Sequence, residues 1–188
     1  MTIDANKDER QGRPVRESQV VHARQMMPVD TNPWGYVHGG VVMKLVDEAA
    51  GSAAIRHARC RVSTAAIDYM SFLHPVGVGD LLTIKASVNI VGRTSMEVGV
   101  RVESENMLTG ETHHTSSAYV VMVALDDVGR PVRVPPVIAE TAEEKRRMAE
   151  ARIRRAQRKV LEAALKDHAN GHPDTHGAPP GVLEARGE

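Results

Sequence analysis

Cysteine is almost missing from this chain: of 188 residues only Cys60 is one. That excludes an intramolecular disulfide framework and any zinc site built on several thiolates. Aromatic residues are nearly as scarce, with Trp34, Tyr36, Tyr69, Phe72 and Tyr119 making up the whole set. The core must then be assembled from Val, Ala, Leu, Ile and Met, with little bulk per residue. A small domain of that kind often completes its core by associating with further copies. There is no charge surplus either, since 24 Lys and Arg face 24 Asp and Glu. Proteins that grip nucleic acid normally carry a basic excess, so no nucleic-acid partner is expected. No apolar run approaches the ~18–20 residues that a membrane helix needs. The opening residues also lack the apolar centre of a secretory signal. The expectation is a cytoplasmic protein with no membrane partner.

What is present falls into segments of different texture. Residues 1–18 hold four acids and four bases with little to bury, and read as a disordered lead. Residues 19–138 are patterned and form the expected domain. Residues 139–168 read as a charged helix. Thr141 and Glu144 provide a capping box at its start, and only a narrow apolar stripe (Met148, Ile153 or Arg152, Ala156, Val160, Leu161, Ala164, Leu165) runs along it. A surface helix laced with ion pairs is favoured over a basic helix that contacts RNA through residues 145–159. Residues 169–188, rich in Gly, Pro and His, read as a disordered tail. His168, His172 and His176 could in principle hold a metal, but nothing fixes their geometry, so no metal site is expected.

Within the domain, residues 19–27 read as a strand ended by Pro28. A loop with Pro33, Gly35, Gly39 and Gly40 follows. Val41, Val42, Leu45, Val46, Ala49, Ala50, Ala53 and Ala54 recur at three-to-four spacing, which predicts a helix to about Arg56. Gly51 inside it suggests a close approach. The period then switches to two over Ser63–Leu73, Leu81–Val91, Met96–Glu103 and Thr112–Leu125. Connections this short imply antiparallel pairing. The fold class is α+β: an antiparallel sheet of five to six strands wrapped around one long helix, plus a C-terminal helix. One helix cannot cover both faces of such a sheet, so a second copy is expected to cover the other face.

The block from Val29 to Gly51 carries the chemistry. His38-Gly39-Gly40 stands directly before the apolar helix. Two glycines let the backbone approach a ligand, and the first-turn N–H groups and helix dipole suit a developing oxyanion. Asp47 lies about two turns further on, near the same azimuth, among Val46, Ala50 and Gly51. It is either a working acid or a buried structural one. Asn32, before Pro33, has the ordinary reading of a turn former. His38 is open to either a catalytic-base or a structural role; His113 and His114 read as structural. Cys60 has no nucleophile motif.

These residues resemble a known family. DTNPWGYVHGGVVMKLVDEAAG, continued by VSTAAIDYMSFLHPVGVGD, VGRTSMEVGVRVESENMLTGE and GRPVRVPPVIAETAEEKRR, is similar to the cytosolic acyl-CoA thioesterases of the hotdog fold over roughly residues 19–150. The resemblance implies a hydrolase that splits medium- or long-chain acyl-CoA. Asp47 would be its general base or nucleophile, with Asn32 supplied by the partner domain. The resemblance thus puts the work on Asp47 and implies the structural role for His38. The HGG backbone, Gly40 N–H foremost, would hold the thioester oxygen. Arg93, Thr94 and Ser95, and less directly Arg130, would contact CoA. It implies no metal or redox cofactor, and a homodimer assembling as a trimer of dimers. Trp34 and Tyr36 depart from the small residues that relatives carry in this loop. The rival reading is a non-catalytic hotdog module that binds acyl-CoA. A hotdog dehydratase would have to rely on His38.

Overall fold

The computed structural model describes residues 11–171. They divide into a body running to Arg152 and a second unit from Ile153.

The body is built on α1 (Gly39–Ala58) and a five-stranded sheet of β2 (Val20–Gln25), β3 (Arg61–Phe72), β4 (Leu81–Val91), β5 (Ser95–Glu105) and β6 (Thr112–Leu125). The strand order is β2-β4-β5-β6-β3, antiparallel throughout, so β2 and β3 are the edges. The helical spacing lays Val42, Leu45, Val46, Ala49, Ala50, Ala53 and Ala54 along one buried stripe. The period of two turns Leu82, Ile84, Val88, Val98, Val102, Val120 and Met122 toward it, all at most 1% exposed. Four alanines on the stripe let the sheet close around the helix, and Met26, Met96 and Met122 fill the larger gaps. This is the predicted arrangement, and it makes the best use of a sequence poor in aromatics. The helix ends at Arg59, which adopts φ 58° and donates its N–H to Ile55 O at 2.8 Å.

Three expectations change. Residues 13–18 are not a disordered lead. β1 (Arg13–Pro14) pairs in parallel with β7 (Val137–Ile138). Val15 is 3% exposed and Ser18 fully buried. The Ser18 hydroxyl donates to Val15 O and accepts the Val88 N–H of β4. A short polar segment becomes structural because its few apolar atoms find a groove and its hydroxyl replaces a missing ladder bond. Second, Gly51 marks no tight contact: a Cβ there would lie 3.9 Å from Met122 Cε, an ordinary distance. Third, the outward side chains Ser87, Asn89 and Glu97 are already buried within one chain. The outer sheet face therefore does not wait for a second copy there. Glu143, Arg146 and Glu150 from the start of α2 (Ala142–Gly171) line a cavity of about 410 Å³ with Lys85, Ser87 and Asn89.

The predicted capping box closes the first turn of α2. Thr141 Oγ1 accepts the Glu144 N–H, and Glu144 Oε2 accepts the N–H groups of Thr141 and Glu140. Exposed Glu143 is held near pKa about 2 by hydrogen bonds from Arg146 and Arg147. The second unit is the continuation of this helix, on which Ile153, Val160, Leu161 and Leu165 are exposed and Arg158 faces Glu162. The helix runs to Gly171. The expected tail beyond it, with His172 and His176, lies outside the described residues. Among the described residues no helix is long and apolar enough to cross a membrane, and no group of His, Cys, Asp and Glu is placed to hold a metal.

Candidate active site

The loop that carries Asn32 is fixed from below by Asp30. Asp30 is 6% exposed, is paired with Arg24 at 2.8 Å and accepts the Met27 N–H. Its carbonyl accepts the His38 N–H, and Thr31 bridges Val37. Between these ties the chain turns tightly, with Gly35 at φ 84°. Asn32 Oδ1 accepts the N–H groups of Trp34 (3.0 Å) and Tyr36 (3.3 Å). The turn-forming role is therefore real, and it orients the side chain. With Oδ1 engaged twice, the amide presents Nδ2 as a donor.

The loop delivers the chain into α1 through His38, whose Nδ1 accepts the Gly40 N–H at 2.9 Å. His38 is thus the helix N-cap. The N–H named above as the foremost oxyanion donor is occupied by the ring, so an incoming oxyanion has to compete with it. Phe72, the last residue of β3, covers Gly39: a Cβ on that glycine would stand 3.6 Å from the ring. Asn32, Tyr36, Gly39, Val42, Phe72 and Leu73 line one cleft of about 340 Å³.

Asp47 does not line this cleft. It is half-buried on α1, two turns past Gly40, a rise of about 10 Å along the axis. Thr64 Oγ1 donates to Asp47 Oδ1 at 2.6 Å and lies 3.4 Å from Met122 Sδ. Thr64 was missed in the sequence. A hydroxyl in an alternating strand is unremarkable, and only the STAAIDY stretch within the family resemblance marked the place.

The predicted CoA contacts gather at the end of the sheet that Thr64 occupies. Ser95 is opposite Val123, which is opposite Ser63, the residue before Thr64. Thr94 O accepts the Ala124 N–H and Arg93 O the Val134 N–H. The Arg130 turn closes on Asp126, whose carboxylate accepts the Arg130 N–H at 2.7 Å. Arg93 and Arg130 are exposed.

His57, His74, His113, His114 and Cys60 make packing and structural contacts. His57 is fully buried, with Nε2 2.9 Å from Pro135 O and Nδ1 unpartnered. Burial pushes its pKa down. Burial pushes the Cys60 thiol up, against a nucleophilic role. His113 packs 5.3 Å from His74 and meets Glu111, and His114 bonds Ser117 Oγ.

An α1 sheathed by a five-stranded antiparallel sheet, with polar residues at the helix start and two turns in, is the hotdog architecture of thioesterases. Residues 35–111 match the model of the Thioesterase superfamily. An uncharacterized acyl-CoA thioester hydrolase of Bacillus subtilis, YkhA, is 40% identical over 69% of this chain and 75% of its own length. The structure aligns with an apo-hexameric acyl-CoA thioesterase at TM-score 0.79 and 43% identity, over 81% of this chain and 98% of that one. It also aligns with the Staphylococcus aureus acyl-CoA hydrolase solved with butyryl coenzyme A, coenzyme A and coenzyme A disulfide. That match has TM-score 0.78 and 34% identity, over 84% and 96% of the two chains. The same enzyme has been solved as separate alanine mutants of an asparagine, an aspartate and a threonine, which stand fifteen and seventeen residues apart in that order. Asn32, Asp47 and Thr64 stand at the same intervals. The chain belongs to the acyl-CoA thioesterases of the Thioesterase superfamily, and its activity is hydrolysis of acyl-CoA thioesters.

Proposed function

We propose that the enzyme hydrolyses medium- and long-chain fatty acyl-CoA at a site shared between two copies of the chain. The observation that carries this reading is the position of the two half-sites. Asn32 and Gly39 sit at the Phe72 end of β3, while Asp47 and Thr64 sit at its other end. β3 is an edge strand twelve residues long with no fully buried residue, and Tyr69 and Phe72 are more than half exposed. Such an edge invites a further strand. Antiparallel pairing of β3 with β3 of a second copy reverses the strand direction. It lays the Phe72 end of one copy against the Thr64 end of the other, forming two equivalent sites. The hexameric state of the related thioesterase fits a trimer of such dimers.

In this arrangement the thioester carbonyl lies at the start of α1, where the His-Gly-Gly backbone and the helix dipole stabilise the oxyanion. Asp47 of the other copy, oriented by Thr64, activates a water or attacks the carbonyl carbon directly to give an anhydride that water then opens. Asn32 Nδ2 donates to the oxygen atoms gathered there, those of the carboxylate or of the attacking water. The thiolate of CoA leaves without a strong acid. Arg93, Thr94, Ser95 and Arg130 bind the anionic CoA portion at the Thr64 end. The spacing shared with the mutated residues of the Staphylococcus aureus enzyme supports these roles. Every step uses a carboxylate, a carboxamide or backbone donors, so the reading includes no metal or redox cofactor. The test is thiol release from palmitoyl-CoA. Wild type should turn over and Asp47→Asn should lose ~100-fold or more in kcat; equal rates would remove Asp47 from the reaction.

A further inference from the structure

From Arg152 to His168 α2 has two chemically distinct sides. At about 100° per residue, Val160, Ile153, Ala164, Leu161 and Leu165 fall within about 140° of one another. All are exposed, the four large ones by 59% to 70%. Gln157 and His168 are the polar residues among them. Arg152, Lys159 and Lys166 recur every seven residues, two turns, and form an exposed row along one border of this stripe. Arg154 and Arg158, half-buried, stand along the other border. Glu162 is turned to the far side of the helix, 4.0 Å from Arg158, and Asp167 stands at the edge of the stripe in the last turn. The stretch holds six bases and two acids in a chain whose charges balance as a whole.

Charge decides what can cover such a stripe. A second copy of the helix sets these cations against their own kind. The stripe from Ile153 to Leu165 also spans less than two heptads, where a coiled coil needs about three or four. An RNA strand would meet the cations but leave four aliphatic side chains without a role, and α2 has no aromatic ring to stack on a base. A bilayer with anionic headgroups suits both sides. The aliphatic side chains enter the acyl boundary, and the bordering Arg and Lys reach the phosphates along their own methylene stems. We infer that α2 between Arg152 and His168 is a docking surface for anionic lipid membrane, on which the helix lies flat. Contact of this kind needs no spanning segment, and the expectation of no membrane partner rested on the lack of one. It brings a hydrolase of acyl-CoA to the surface where acyl chains collect, and it does not depend on how the active site is shared.

The experiment is co-sedimentation of the full-length protein with vesicles of phosphatidylcholine alone and of phosphatidylcholine with about a third phosphatidylserine. It is run on wild type and on two double variants, Leu161→Gln with Leu165→Gln and Lys159→Gln with Lys166→Gln. Glutamine is a good helix former. Circular dichroism, elution volume and butyryl-CoA hydrolysis without vesicles should therefore match wild type in both. Wild type should bind the phosphatidylserine vesicles ~10-fold or more tightly than the neutral ones. It should release them at about 1 M salt, where the Debye length is about 3 Å. Removing the two lysines should weaken binding about 25-fold, about fivefold for each cation. Removing the two leucines should weaken it ~10-fold or more. Three results would overturn the inference. One is wild type that sediments with neither vesicle. Another is vesicle binding that survives loss of the leucines in full, together with capture of a single-stranded RNA oligonucleotide that the lysine variant loses; the surface would then be a nucleic-acid contact. The third is a later elution of the leucine variant with unaltered vesicle binding, which would make the stripe a contact between copies.

Discussion

Thr64 Oγ1 donates to Asp47 Oδ1 at 2.6 Å, joining the edge strand to the middle of the helix. The bond restricts which carboxylate oxygen remains to act. Removing the hydroxyl while keeping the shape, Thr64→Val, should lower kcat about 10- to 100-fold, the worth of one hydrogen bond to a charged group, with little change in KM. Thr64→Ser should recover most of the loss. A Thr64→Val enzyme with wild-type kcat would mean that Asp47 needs no such support.

Asn32 offers a cleaner separation of turn and chemistry. In Asn32→Asp the carboxylate oxygen still accepts the Trp34 and Tyr36 N–H groups, so the loop should persist and the melting temperature should stay close to wild type. The Nδ2 donor is gone, and kcat should fall at least ~100-fold. Retained activity in this variant would return Asn32 to a purely structural role.

Subunit mixing tests the shared site. Asn32→Ala and Asp47→Ala should each be inactive alone. Random reassembly of equal amounts after mild unfolding should restore about a quarter of wild-type activity, because half the dimers are mixed and each mixed dimer has one intact site of two. No recovery, with mixed dimers verified by mass, would place Asn32 and Asp47 of the same chain in one site.

His57 predicts an acid limit to stability. Desolvation lowers its pKa in the folded state, Arg13 adds to the shift, and the Pro135 carbonyl opposes it only in part. The unfolded chain therefore binds this proton at higher pH than the folded one. The stabilisation is complete above about pH 6.5, the unfolded value, and is lost as the pH falls below it. Melting temperature should drop between pH 7 and 5, and the drop should be shallower in His57→Gln. Parallel curves would assign the acid sensitivity to other groups.

A chelator tests the proposed metal-free mechanism. Dialysis against EDTA should leave kcat/KM within about twofold of the untreated enzyme. Loss of activity that a divalent cation restores would add a metal to the mechanism.

Much of this was legible in the chain. Periodicities of 3.6 and 2 located α1 and the four long strands, because each element buries one face and its apolar residues must follow its geometry. Asp47 stood out as an acid inside an apolar stripe. The role of Thr64 was not legible, because its partner is seventeen residues away and sequence spacing does not report the crossing of a strand and a helix. The place of Val15 and Ser18 was equally hidden, since two buried residues in a polar stretch make no pattern. The HGG glycines were recognisable, but the capture of the Gly40 N–H by His38 depends on a side-chain rotamer.

The scarcities of the sequence determined the kind of core: few aromatics and one cysteine leave Ala, Val and Met, and these suit a thin helix closely wrapped by a sheet. Local order likewise fixed the capping box at Thr141 and Glu144 and the turn at Asn32, because these are contacts between near neighbours in the chain. Only the tertiary structure decided that Asn32 and Asp47 lie toward opposite ends of one edge strand. That separation follows from strand order and from the direction in which α1 crosses the sheet, both set by packing between residues far apart in the sequence. On that separation the proposed sharing of the site between two copies rests.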